Sequence, residues 1–471
     1  MNRSKALYAF LAVLLVLSLL AACAPAPANN ANANENMEEE MNEEMEDPTE
    51  EVVEEVVEEE MMVDLSGVTV VFWHAMSSGA NLEGIENAVA EFNATNPYGI
   101  TVEQVAQGSQ GDLETAVNGA ITTGELPTMT MGFPNGLARW HSLGVIRGLN
   151  DFIDSADYGL SPEVAAGLYA GTYSAGTLAD GTQVGVAMHQ SAGTIFYNHT
   201  WAQELGFAAP PSTPAEFRDQ ACAAAAANLA DDNADNDGTG GYVYFPDASM
   251  VSPWIWAHGG SLLTDDGTAY ELNSEAANAT ALFFKDLYDS GCTLSTPSFP
   301  NPEFAARLAL FATSSTAGIP FQQSAMEDAG NEDVWGPIAY PGLDGTPYVN
   351  SFGQMIGVVA TNDDTDLASW LFLKWLTSPE SQATWISTTG YFPSQDGVDV
   401  SDRIAESQQY ADGFALLQYG LSEPNLAAHG AVRGEIRDAF FAILDAASAE
   451  DIAAILDELN ATAATLVAET E

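Results

Sequence analysis

The sequence predicts an α/β protein built as two lobes that exchange segments. Three observations carry this. Short β-branched runs alternate with amphipathic stretches at the spacing of strand–helix–strand units. The chain has 471 residues, 46% of them apolar, which is more than one core needs. Beyond residue 64, no linker of Pro, Gly or Ser separates two independent halves.

The elements follow in order. Val68–Trp73 is a β-branched run and reads as a buried strand. Asn81–Phe92 places Ile85, Ala88, Val89 and Phe92 on one helical face, and Asn96-Pro97-Tyr98-Gly99 stops it. Ile100–Val105 is the next strand, Leu113–Ile121 a helix and Thr128–Met131 a strand. This order implies parallel strands joined by crossover helices. Val184–Met188 and Gly193–Tyr197 read as strands. Thr213–Ala227, Ala276–Tyr288, Leu367–Leu376, Ile436–Ala446 and Ile452–Val467 read as helices.

The charge excludes whole classes of function. Eleven Lys and Arg face 67 Asp and Glu, a formal net charge of −56. Such a chain cannot neutralise a phosphate backbone, so nucleic acid is excluded as a partner. An anionic membrane surface is equally unsuited, except through a covalent anchor. Self-repulsion should keep the protein soluble and monomeric.

The first segment reads as an address. Arg3 and Lys5 precede an apolar run, Ala6–Ala22, that ends Leu20-Ala21-Ala22-Cys23. A basic flank, an apolar stretch and small residues before a boundary describe a secretory signal. The ending resembles the bacterial lipobox, which implies cleavage before Cys23 and lipidation of its thiol. Residues 24–64 are Ala, Pro, Asn, Glu and Met, with sixteen acids between Glu35 and Asp64 and no base, so an acidic disordered tether is expected. In an extracytoplasmic, oxidising setting, Cys222 and Cys292 are expected to form one disulfide.

Chemistry-bearing motifs are missing. No phosphate-binding Gly-rich loop with Lys occurs, no Gly-x-Ser-x-Gly elbow, and no pair of His at helical zinc spacing. The protein is therefore not expected to be an enzyme, although so many acids leave a glycosidase pair open. No cofactor is expected, with one exception. Asn233, Asp235 and Asp237 before Gly238 fit the first half of a calcium loop, but position twelve is Tyr244 instead of Glu. The alternative is an acidic surface turn. Aromatics carry more signal. Trp73 ends the first strand, Trp254 and Trp256 sit at alternate positions, and Tyr391 follows Gly390. Rings beside Gln, Asn and Ser suit the C–H faces and hydroxyl edges of sugars.

These segments together resemble the extracellular solute-binding proteins of bacterial ABC importers, in the branch for carbohydrates and glycerol-3-phosphate. Phe72-Trp73-His74 followed by Phe92-Asn93-Ala94-Thr95-Asn96-Pro97 is similar to the family's opening, and Gly193-Thr194-Ile195-Phe196-Tyr197-Asn198 to its crossover strand. Phe372-Leu373-Lys374-Trp375-Leu376 and Thr389-Gly390-Tyr391-Phe392-Pro393 add to the likeness. It implies a two-lobed periplasmic-binding-protein fold of the type II kind, each lobe a mainly parallel sheet flanked by helices, with hinge strands between them. The expected division is a signal over 1–22, a tether over 23–64, an N-lobe from 65–192 and 353–392, and a C-lobe from 193–352 and 393–471. The resemblance also implies a ligand cleft between lobes and a membrane permease as partner. Its cleft residues would be Trp73, His74, Gln110, Asn135, Ser191, Gln322, Gln323, Gly353, Tyr391 and His429, to which the aromatic argument adds Trp254 and Trp256. His429 and Asn135 lie where the glycerol-3-phosphate binders differ, which favours a neutral carbohydrate. A surface-anchored carbohydrate hydrolase is the competing class.

Overall fold

The computed structural model describes residues 63–244, 247–296 and 299–470. Cys23 and the tether up to residue 62 lie outside them. Two sheets organise the described chain. In the first, β1 (Thr69–His74) pairs in parallel with β2 (Thr101–Ala106) and β3 (Met129–Gly132), joined by helices α1 (Gly79–Thr95) and α2 (Gln110–Thr123). These are the expected right-spaced crossover units. One strand of this sheet runs the other way: β12 (Met355–Val358) is antiparallel to β3 and to the edge strand β4 (Val186–Ala187).

The second sheet centres on β5 (Ser191–Asn198). It pairs antiparallel with β8 (Ala309–Ser315), β9 (Trp335–Ile338) and β11 (Pro347–Phe352). Outward from β8 lie β6 (Gly240–Tyr244) and β7 (Thr293–Ser295), both in parallel pairing. On the other side β10 (Tyr340–Pro341) and the short β13 (Gly420–Leu421) pair with β11. The crossover-helix units thus pair in parallel, and β4, β5 and β12, beside the passages between sheets, pair antiparallel with their neighbours.

The chain makes that passage between β4 and β5, and again between β11 and β12. The two passages touch. A Cβ on Gly353 would stand 3.1 Å from the carbonyl oxygen of His189, so only glycine allows this approach without displacement. A third passage is pinned by Gln190 and Phe392, which exchange backbone hydrogen bonds at 2.8 and 3.0 Å.

Burial follows the strand period. On β5, Ile195 and Tyr197 face one core with Phe311, Tyr242 and Phe217, while Phe196 faces another with Phe304 and Trp335. All of β5 is buried, as a central strand covered on both faces must be. The C-lobe core is built from α4 (Pro214–Ala230), α5 (Ala248–Ala257), α6 (Glu275–Asp289), α10 (His429–Leu444) and α11 (Ala449–Thr470). On the first sheet, α7 (Asp363–Leu376) lays Phe372 against Phe72 and Phe92, and α8 (Pro379–Thr389) adds Trp385. Against β9 of the second sheet, α9 (Gln408–Leu416) covers Phe392 with Tyr410, rings stacked at 4.3 Å.

Cys222 on α4 and Cys292 before β7 are bridged, with Cα atoms 4.6 Å apart, inside the range a disulfide requires. No helix among the described residues is long and apolar enough to cross a membrane.

Candidate ligand cleft

Ligands of open α/β sheets bind beyond the carboxyl ends of the strands, and the loops there carry the site. The turn after β2 ends in Ser109, whose hydroxyl and the Asp112 carboxylate cap each other's backbone N–H, fixing the start of α2 and placing Gln110 at its first position. The turn after β3 is Phe133-Pro134-Asn135. Pro134 opens helix α3 (Pro134–Ser142) with its preset φ, and Phe133 before it is left 39% exposed. From the other lobe come Asp247 and Ser249 at the start of α5, Glu423 after β13, and His429 and Arg433 one turn apart on α10.

These residues line two adjoining chambers of about 300 and 310 Å³. Phe133, Phe352, Gly353 and Arg433 border both. Gln110, Glu114, Asn135, Glu423 and His429 belong to the first, and His189, Ser191, Asp247, Ser249, Gln354 and Tyr391 to the second. The lobes meet across the cleft: Asn135 Nδ2 lies 3.0 Å from where a Cβ on Gly430 would stand. On the N-lobe side, Gln354 Nε2 donates to Gln110 Oε1 at 2.8 Å.

One ionic network forms the C-lobe wall. Arg433 Nη2 donates to Asp247 at 2.5 Å and Nη1 donates to Glu423. Glu423 also accepts from Asn350 Nδ2 and His429 Nε2, each at 2.7 Å. The Tyr270 hydroxyl lies 2.8 Å from His429 Nδ1 and completes that imidazole's hydrogen bonding. Burial pushes the Glu423 carboxyl up, but Arg433 and the His429 hydrogen bond outweigh it and hold it down at about 2. Burial pulls the Arg433 guanidinium down, and Glu423 and Asp247 outweigh that, leaving it raised. Arg433 is the single Lys or Arg among the described residues of the two chambers, and two carboxylates already neutralise it.

Aromatic rings shape the second chamber. Gly390 ends α8 in the left-handed region at φ 78°, which turns Tyr391 toward the cleft. Tyr391 lies against the His189 ring at 3.9 Å between centroids, and His189 stacks on Trp385 at 5.6 Å.

Of the residues expected at the cleft, Gln110, Asn135, Ser191, Gly353, Tyr391 and His429 line these chambers. Others stand elsewhere. Strand alternation turns His74 inward with Phe72, where it is fully buried and bonded to Gln104 at 2.7 Å; Trp73 on the opposite face packs against the same core. Trp254 and Trp256 occupy a helix instead of a strand or loop. Every residue of α5 is buried, and Trp254 is a core residue among Phe217, Phe283 and Tyr340. Trp256 also packs in that core and borders a separate hollow beyond Glu423. Gln322 and Gln323 belong to the helix Ile319–Asp328: the first is buried and donates to Asn301 O at 3.2 Å, the second is exposed and donates to Glu327. Asn233, Asp235 and Asp237 lie in an exposed turn tied by Asn233 N–H to Asp231 at 2.7 Å and Asp235 N–H to Asn233 at 3.2 Å. Among the described residues no three His, Cys, Asp or Glu come together as metal ligands.

Sequence reasoning missed Phe133, His189, Asp247, Ser249 and Glu423 as lining residues. Phe133 had a signal, an aromatic between a strand end and a helix-opening Pro. Glu423 had none, since Asn350, and Asp247 across the shared Arg433, are distant in sequence and no periodic pattern links it to His429 and Arg433.

A family model described as bacterial extracellular solute-binding protein matches residues 87–412. No match was found among curated proteins. Among solved structures, the chain is similar to the cyclic alpha-maltosyl-1,6-maltose binding protein of Arthrobacter globiformis, with TM-score 0.71 and 21% identity over 85% of this chain and 99% of that one. It is similar to the sugar-binding protein MalE of Xanthomonas citri, with TM-score 0.70 and 19% identity over 85% and 98%. It is also similar to UgpB of Mycobacterium tuberculosis, solved with glycerophosphocholine, with TM-score 0.69 and 16% identity over 86% and 99%. At these identities the likeness establishes the two-lobed fold. Since the family model spans more than half of its length, the chain belongs to the bacterial extracellular solute-binding proteins.

Proposed function

We propose that the protein captures a neutral carbohydrate, a sugar or oligosaccharide, in the interlobe cleft and delivers it to the membrane permease of an ABC importer. The observation that carries this reading is the neutralised Arg433. A phosphate ester needs Arg forks or clustered backbone N–H groups. Here the one guanidinium of the chambers is spent on Asp247 and Glu423, and Glu114 adds further negative charge. A neutral polyol meets no such repulsion, and Gln, Asn and Ser side chains beside Phe133 and Tyr391 match its hydroxyls and C–H faces. Names of structurally similar proteins that bind maltose-type sugars support the same class.

Binding is favoured over hydrolysis by the same network. A glycosidase needs one carboxylic acid held protonated near neutral pH. Glu423 is displaced in the opposite direction, to about 2. Calorimetry with a panel of neutral sugars and glycerol-3-phosphate tests the assignment. Tyr391→Ala is expected to weaken sugar binding by about 1–3 kcal/mol, the value of burying a large apolar surface. Binding of the phosphate ester alone, or turnover of a bound sugar, overturns it.

Attachment belongs to the same reading. Cys23 follows Leu20-Ala21-Ala22 and is proposed as the lipidated N-terminus of a monomeric, extracytoplasmic protein held at the outer face of the cell membrane. Cys23→Ala is expected to release the protein from membranes or leave its signal uncleaved; unchanged attachment and processing, read by fractionation and mass spectrometry, refutes this.

A further inference from the structure

Two polar atoms beside the second chamber stand out. His189 is 1% exposed, and its Nδ1 has no hydrogen-bond partner in the protein. Gln354 gives its amide N–H to Gln110, but its Oε1 is buried without a partner. Both residues line the same chamber, and they lie on the two passages between lobes, joined where Gly353 meets the His189 carbonyl. A buried polar atom left unpaired costs stability, and the great majority in native proteins are paired. Two such atoms on lining residues of one chamber, in the passages between lobes, are best explained by a partner that arrives with the ligand.

We propose that the second chamber is the subsite where a ligand sugar ring is read, its hydroxyls hydrogen-bonding to His189 Nδ1 and Gln354 Oε1. This rests on carbohydrate capture in the cleft and adds the residues that read the ring. A hydroxyl is both donor and acceptor, so one sugar hydroxyl satisfies the imidazole in either tautomer while a second donates to the amide oxygen. The His189 ring is fixed for this task by Tyr391 on one side and Trp385 beyond it. Burial keeps the imidazole neutral, its pKa pushed down to about 3, so it offers a hydrogen bond and no charge. A ligand bonded to both residues ties the two interlobe passages together, which favours the closed arrangement over the open one.

The test compares full-length protein with His189→Phe, His189→Asn and Gln354→Met, using calorimetry with a sugar that the wild-type protein binds and thermal melts without it. Phe keeps the ring stack and removes the unpaired nitrogen. It is expected to weaken sugar binding about tenfold while the ligand-free melting temperature stays level or rises. Asn, with a polar atom near the Nδ1 position, should recover part of the affinity. Gln354→Met should weaken binding to a similar degree. Unchanged affinity in His189→Phe and Gln354→Met overturns the inference. A fall in ligand-free stability that tracks the affinity loss, with no recovery in Asn, also overturns it by assigning a packing role. Failure of the wild-type protein to bind any neutral sugar instead overturns the parent reading, and the subsite with it.

Discussion

Glu423 shows how a single carboxylate couples the cleft wall to stability. It is nearly buried, yet Arg433, His429 and Asn350 surround it with donors and hold its pKa at about 2, against an ordinary 4.5. A depressed carboxyl contributes stability that is present above its unfolded value and lost as pH falls through the folded one. The window is therefore about 4.5 down to about 2, and the contribution is on the order of 3 kcal/mol. Glu423→Gln should lower stability at neutral pH and flatten the acid limb, as measured by urea melts across that window. An unchanged slope sinks the argument. His189 adds a second acid-sensitive step: buried neutral, it resists protonation until about 3, so stability falls from its ordinary 6.5 downward, and His189→Phe should remove that part alone.

Among the elements, α4 is the one held by a covalent staple. Its run of Ala packs close to β6, where a Cβ on Gly240 would come within 2.5 Å of the Ala224 carbonyl oxygen. The bridge from Cys222 to Cys292 closes a loop of 70 residues at the sheet edge where Tyr242 N–H bonds to Cys292 O. The chain-entropy model assigns such a loop about 4 kcal/mol. Neither cysteine lines the chambers. Replacing both by Ser should thus lower the melting temperature while leaving sugar affinity within about twofold. A matching loss of affinity in calorimetry shows instead that the edge and the cleft are coupled.

At the scale of the whole molecule, the proposed function requires one lobe to close against the other. Asn135 approaches Gly430 across the cleft, and Ser422 Oγ donates to Gly171 O at 2.8 Å. A ligand closes the cleft only if it binds the closed state more tightly. Solution scattering should show compaction when a bound sugar is added. Gly430→Leu introduces bulk where a Cβ already meets Asn135 Nδ2 at 3.0 Å. It is expected to hold the lobes apart, weakening binding severalfold and abolishing the compaction without unfolding the C-lobe. Compaction equal to that of the wild type disproves the closure argument.

The sequence by itself determined the elements whose signal is local. The alternation of β1, α1, β2, α2 and β3 follows from periodicity and turn residues within each segment, and the cysteine pairing from redox setting and parity. Gln110 and Asn135 after strand ends and Tyr391 after the end of α8 were named for the cleft through the family resemblance, which rests on local motifs of the same kind. Only the tertiary structure decided the others. Trp254 and Trp256 look like a binding pair in one dimension, but α5 is covered on all sides, so what surrounds the helix sets their exposure. His74 and Gln322 are polar residues turned into a core, each bonded through one nitrogen to another segment, at Gln104 and Asn301. The Glu423–Arg433–Asp247 network joins three segments that are separate in the chain. Burial and charge pairing arise from contacts between distant residues, and no local pattern encodes them.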